Sequence, residues 1–298
     1  MCIVALKHFP NTGWIGVKNR DRNYKPSIRM VQSFREDIER LYLYDLNTKY
    51  AEGLNEFGIS ILSASVNTRH DEQEAAISSG KPSNKPFYSP DGKMVRKALL
   101  EKTLKSALEK CIELKLPGNT IVFDQNTAYL LEGALNVEKG NKYEHEYHEI
   151  SKDKVAVRTN HGIWIPWAGY KEGKPSESSQ SRMNMGLENI QKAEGPEDML
   201  KAISSTPNKD PQLNVLRIDE RRGEMRTTGQ IMIIPSKLTL YYRPIYCEIE
   251  FDFNKLDSVE TKTFFQIMSA RDILQSDAEE AISNELLVMA GELFKNIR

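Results

Sequence analysis

Short, largely apolar runs bounded by turn residues recur along this chain, the signal of strands buried in a core. Residues 2–7 and 14–19 read as two such strands, joined through Pro10-Asn11-Thr12-Gly13, whose chemistry closes a hairpin. The same pattern predicts strands over 58–66, 120–123, 128–132, 154–158, 213–218, 230–234, 238–243 and 246–251. Asp124-Gln125-Asn126-Thr127 supplies the turn between the second and third of these. Apolar residues spaced by three and four predict a helix over 94–114. A second long helix is expected near the C-terminus, where Ser276 and Glu279 have capping-box spacing ahead of Ile282, Leu286, Met289, Leu293 and Ile297. Shorter helices are expected over 183–193, with Ser179 or Ser181 as N-cap, and over 196–203. Strands dominate and helices come late, without βαβ alternation, so the expected fold class is α+β with layered sheets.

At 298 residues, the chain accommodates a single domain over 1–298 with a sizeable core. Lys plus Arg is 41 and Asp plus Glu is 42, for a net charge of -1 with no long run of one sign. That balance argues against a nucleic-acid partner or a polybasic membrane surface. The apolar runs near the start fall far short of the roughly 20 residues of a membrane span. The first residues also lack a signal-peptide pattern, so a cytoplasmic protein is expected. The polar stretch 67–93 is long for a plain connection and is expected to be a lid or entrance loop.

Cysteines stand at 2, 111 and 247, without metal-ligand spacing, and reduced thiols are expected. Cys111 falls in a helical apolar stripe and Cys247 in a strand-like run, both core positions. Cys2 is different because it follows the initiator methionine. Once Met1 is removed, one residue carries both a thiol and a free α-amine, with ordinary pKa values near 8.5 and 7.7–8.0. Nucleophile and general base then need no loop closure to meet.

Other residues extend that chemistry. Lys18-Asn19-Arg20-Asp21 puts a carboxylate and two cations at the far end of the strand neighbouring Cys2. Asn160, at the end of a strand in Arg158-Thr159-Asn160-His161-Gly162, carries an amide N–H suited to an oxyanion. Ser178-Ser179-Gln180-Ser181-Arg182 opens a helix.

Taken together, Met1-Cys2, Asn19-x-Asp21, Gly53-Leu54-Asn55-Glu56-Phe57-Gly58, Thr159-Asn160 and Ser178-Ser179-x-Ser181-Arg182 resemble the N-terminal-nucleophile (Ntn) hydrolases. The likeness is to the choloylglycine hydrolase and penicillin V acylase group and to the isopenicillin-N acyltransferase-like proteins. Tyr129-Leu130-Leu131-Glu132 and Leu240-Tyr241-Tyr242-Arg243 are fainter echoes. The resemblance implies a four-layer αββα sandwich of two mainly antiparallel sheets. It also implies an amidohydrolase that cleaves a linear, non-peptide C–N bond through Cys2 and a thioester acyl-enzyme. In that scheme Asp21 contacts the α-amine, Asn160 supplies an oxyanion donor and Arg182 completes the polar network. Ser65 or Asn67 is the candidate second donor.

Lys18, Arg20, Arg158 and Arg182 suggest an anionic, N-acyl amino-acid-like small-molecule substrate, and Trp164 is a candidate wall of the acyl pocket. No cofactor or metal is implied, and a homo-oligomer is left open. The departures from the family pattern include Lys18, where Arg is frequent, and Arg20, where an apolar or aromatic residue is frequent, while His161 fits the acyltransferase-like branch better. The alternatives are an acyltransferase using the same acyl-enzyme, a non-catalytic binding protein of this fold, and a metal protein built on His145 and His148. In Glu144-His145-Glu146-Tyr147-His148-Glu149, however, a strand would point the two histidines to opposite faces.

Overall fold

The computed structural model describes residues 2–66, 91–136, 139, 142–170, 173–221, 223–246, 248–252 and 288–289. The predicted hairpin is present as β1 (Cys2–Phe9) and β2 (Gly13–Arg22), in a register that sets Cys2 opposite Arg20 and Val4 opposite Lys18. β2 pairs on its other side with β11 (Arg226–Ile234), which pairs with β12 (Thr239–Pro244). The short β10 (Ala156–Arg158) flanks β1, and β14 (Val288–Met289) closes the far edge of this six-stranded sheet.

The second sheet has eight strands in the order β13-β3-β4-β5-β6-β7-β8-β9. They are β3 (Ser27–Arg35), β4 (Ile38–Asp45), β5 (Ala51–Asn55), β6 (Ser60–Ala64), β7 (Gly118–Phe123), β8 (Ala128–Asn136), β9 (Lys142–Glu149) and β13 (Glu248–Asp252). All its pairings are antiparallel except β13 with β3.

Alternation along the strands divides the core into layers. Cys2, Val4, Leu6 and Trp14 face Leu41, Leu54, Leu62, Ile121 and Phe123 between the sheets. The opposite face of β1 and β2, with Ile3, Ala5, Ile15 and Val17, packs on α3 (Glu177–Lys192) and α4 (Pro196–Ile203) through Ile190, Met199 and Ile203. The outer face of the larger sheet, with Ala51, Ile61 and Leu131, packs on α1 (Asp91–Ala98) and α2 (Leu104–Glu113) through Val95, Leu108 and Cys111. The result is an α+β fold of four layers, αββα, as expected. Among the described residues, no helix is long and apolar enough to cross a membrane.

Several sequence expectations need correction. The helix expected over 94–114 is two helices, because Thr103 caps a new one through its Oγ1 and the Asn55 amide donates to the Leu99 and Glu101 carbonyls in the break. Residues 213–218 are not a strand. A 3₁₀ turn at Pro211–Leu213, capped by Asp210, leads into irregular chain in which Leu216 donates to the Ser205 carbonyl and Arg217 exchanges two bonds with Thr227. Helix α3 starts earlier than expected, with Ser176 as its N-cap in place of Ser179 or Ser181. Val288–Met289, expected within the C-terminal helix, pair as strand on β12, whose edge offers free backbone groups. The rest of that expected helix, most of the 67–93 loop, Asn67 and Cys247 lie outside the described residues.

Candidate active site

Cys2 begins β1 with its side chain in the layer between the sheets, 2% exposed. Because strand faces alternate, its partner Arg20 and the i±2 neighbours Lys18 and Arg22 share that face, whereas Asn19 and Asp21 face the helices. Three cations therefore crowd one thiol. Lys18 pairs with Glu52 and donates to the Ser63 carbonyl at 2.6 Å. Arg20 bridges Glu52 at 2.9 Å and Asp45 at 3.2 Å. Arg22 approaches Asp45 at 3.5 Å and points Nη1 at the Cys2 Sγ, 3.6 Å away. Two carboxylates against three cations leave one positive charge in excess. Burial pushes the Cys2 thiol up, but Lys18 and Arg22 more than offset it and hold the thiol down at about 7.

The backbone nitrogen of Cys2, which becomes the α-amine when Met1 is removed, donates to Asn160 Oδ1 at 2.9 Å. Arg182 Nη2 donates to the same oxygen at 3.1 Å, and Arg182 Nη1 pairs with Asp21 Oδ2 at 3.0 Å. Two donors on Oδ1 fix the orientation of the amide. Asn160 Nδ2 gives one hydrogen to the Ser65 carbonyl at 2.6 Å, which leaves its second N–H for another acceptor. Asp21 is fully buried and also accepts from Thr227 Oγ1 at 2.9 Å, with Arg217 Nη1 3.6 Å from Oδ2.

The Ser-rich start of α3 explains why Asn160 stands where it does. Ser179 Oγ accepts from the Asn160 backbone N–H at 3.2 Å, donates to Thr159 Oγ1 at 2.9 Å and lies 2.8 Å from His161 Nδ1. Burial, then Arg158 and Arg182, hold the His161 pKa below its ordinary value, so this imidazole is neutral and structural.

Cys2, Asp21, Asn160 and Arg182 thus form one connected set, with Lys18 and Arg20 on the thiol side of β1. Ser65 takes part through its carbonyl. Trp164 sits at the rim of the intersheet core, its ring 4.4 Å from that of His148 and 4.9 Å from the Arg158 guanidinium. His145 and His148 lie on exposed β9, opposite Gly133 and Leu130, and so on opposite faces. Among the described residues, no group of His, Cys, Asp and Glu side chains is arranged to hold a metal.

Four participants escaped the sequence reading: Arg22, Asp45, Glu52 and Arg217. Period-two alternation along β2 was the available signal for Arg22, which must share a face with Lys18 and Arg20. Asp45, Glu52 and Arg217 arrive from distant strands and a loop, and nothing local marks them.

No protein-family model and no curated protein matches this chain. Among solved structures it overlaps penicillin V acylase from Agrobacterium tumefaciens at 11% identity and a TM-score of 0.45, covering 82% of this chain and 83% of that one. A point mutant of the conjugated bile acid hydrolase from Clostridium perfringens overlaps at 12% identity and 0.47, covering 82% and 89%. A second variant of the same hydrolase overlaps at 11% identity and 0.46, covering 97% of each chain.

Proposed function

We propose that this chain is an Ntn cysteine amidohydrolase acting on a small linear amide. The observation that carries the reading is the convergence on Cys2: a thiol held near 7 on one side of the residue, and a nitrogen seated on Asn160 on the other. After loss of Met1, the α-amine takes the thiol proton and the Sγ electron pair attacks the substrate carbonyl carbon. The carbonyl π pair moves to oxygen, where the second Nδ2–H of Asn160 donates to it. As the tetrahedral species collapses, the C–N bond breaks and the α-amine returns its proton to the departing nitrogen. Water then attacks the thioester, and Cys2 leaves as the sulfur nucleophile it was. Hydrolysis and acyl transfer share every step up to the thioester and diverge only at the acceptor.

Asp21 and Arg182 act behind Asn160. Their buried ion pair fixes the amide that holds both the amine and the oxyanion. The test is acyl-enzyme trapping with Cys2→Ser and Asn160→Ala as controls. Both should lose amide cleavage, Asn160→Ala by about 10²–10³-fold in kcat. Cleavage undiminished in Cys2→Ser would overturn the proposal.

The substrate reading sharpens at Arg158. Lys18, Arg20, Arg22 and Arg182 each pair with a carboxylate, whereas no carboxylate among the described residues lies within ion-pair distance of Arg158, on which Glu132 acts only at longer range. Register places Arg158 opposite Val4, on the same face as Cys2 and diagonal to it, with Trp164 over its guanidinium. An N-acyl amino acid would present its anion there. Carboxylate-bearing amides should therefore be cleaved faster than their neutral counterparts, and Arg158→Gln should raise KM for the former alone; equal rates on both in the wild type would contradict this.

A further inference from the structure

Asn160 lies two residues beyond Arg158, the last residue of an edge strand, in an irregular segment where backbone groups lack a ladder to satisfy them. The structure shows where those groups go. The Asn119 amide donates to the Thr159 and His161 carbonyls, both at 2.9 Å, and so grips the chain on either side of Asn160. The Glu132 carboxylate accepts from three successive backbone N–H groups: Ile163 at 2.9 Å, Trp164 at 3.3 Å and Ile165 at 2.7 Å. Asn119 and Glu132 are direct cross-strand partners on β7 and β8, and both side chains are fully buried. They therefore form one rigid fixture on the eight-stranded sheet. Its cargo is a loop that belongs to the six-stranded sheet. Gly162 lies so close that a side chain there would strike both Glu132 and the Ile165 carbonyl.

We propose that Asn119 and Glu132 act together as positioning residues that hold Asn160 at the oxyanion. The inference rests on the reading of Cys2 as nucleophile and Asn160 as oxyanion donor. Arg182 and Ser65 set the Asn160 amide, while the Asn119–Glu132 pair sets the backbone beneath it. A carboxylate suits one half of this task and an amide the other, because three N–H groups call for an acceptor and two carbonyls call for a donor. Glu132→Gln turns an N–H donor toward N–H groups, and Asn119→Ala leaves two buried carbonyls bare.

The test compares two reactions of Cys2. Acylation by para-nitrophenyl acetate passes through an oxyanion, whereas alkylation by iodoacetamide does not, so their ratio isolates the oxyanion donor. Glu132→Gln and Asn119→Ala should each slow acylation by about 10²-fold, the scale of a roughly 1 Å misplacement, while alkylation and its pH midpoint stay unchanged. In an Asn160→Ala background neither change should slow acylation further. Equal loss of both reactions, or additive loss with Asn160→Ala, would reduce the pair to a merely structural role and overturn the proposal. If Asn160→Ala itself leaves acylation intact, the oxyanion reading of Asn160 falls and takes the clamp with it. If Asn160→Ala slows acylation and neither clamp variant does, only the clamp falls. Asn119→Ala keeps the test open should Glu132→Gln fail to fold.

Discussion

Cys2 and Cys111 are both buried thiols, and their surroundings drive them in opposite directions. Burial alone pushes Cys111 up to about 12, whereas Lys18 and Arg22 outweigh burial at Cys2 and hold it at about 7. At pH 7 about half of Cys2 is thiolate and almost none of Cys111 is. Peptide-mapped alkylation should therefore show Cys2 reacting with a midpoint near pH 7 and Cys111 silent up to pH 9. Arg22→Gln removes the guanidinium 3.6 Å from Sγ, and the midpoint should rise by about one unit; an unmoved midpoint would exclude Arg22 as a cause. Much of this was legible in the sequence, since the position of Cys2 and the charges of β2 can be read directly. The compensation of those charges was not. Four arginines and lysines near a motif suggest an anion site until Glu52, Asp45 and Asp21 are seen to neutralise three of them.

Helix α3 carries the site's second half. Its N-cap Ser176 starts the helix, Ser179 ties the 159–161 chain, and Arg182 one turn later reaches Asp21 and Asn160. Gly186 allows the helix this close, because a Cβ there would lie 2.7 Å from Ile3 Cδ1 on β1. Gly186→Val should cost about 1–3 kcal/mol of stability by overpacking. It should also lower kcat by displacing Arg182 from Asn160; a variant with full activity would show that α3 need not sit so near. The helix itself was legible from its spacing and the Ser-rich start. The break in 94–114 was not, because Asn55 from a distant strand satisfies the carbonyls that end α1, and periodicity runs straight through such a joint.

Across the whole molecule, charged groups buried between and behind the sheets couple stability to pH. Burial pushes the Asp45 carboxyl up, but Arg20, Arg22 and the Thr48 and Asn47 backbone bonds hold it below the ordinary carboxylate range. A carboxyl depressed on folding gives stability that is present above about pH 3.9 and lost as pH falls through its folded value. His161, depressed by burial, adds an earlier loss, since the unfolded chain gains a proton below about pH 6.5 that the folded state refuses. The urea midpoint should decline from pH 7 to 5, with a steeper fall below about pH 4. His161→Gln should flatten the first part, and a midpoint that rises on acidification would contradict this linkage. The four layers were expected from the motifs, while β3, β4 and β5 went unread. These strands bury Gln32 and Glu39, which pair with each other, Glu52, which pairs with Lys18 of β2, and Arg40, which donates to Ser33 and the Arg96 carbonyl, and these polar residues hide the apolar pattern.

On the proposed mechanism Cys2, freed of Met1, accepts the acyl group of an amide. The most direct measurement is mass spectrometry of the N-terminal peptide after rapid acid quench with a panel of N-acyl amides. The expected product is a peptide beginning at Cys2 that carries the acyl mass, released by hydroxylamine and absent in Cys2→Ser. A peptide that keeps Met1 and stays unmodified while the amide is consumed would contradict that mechanism.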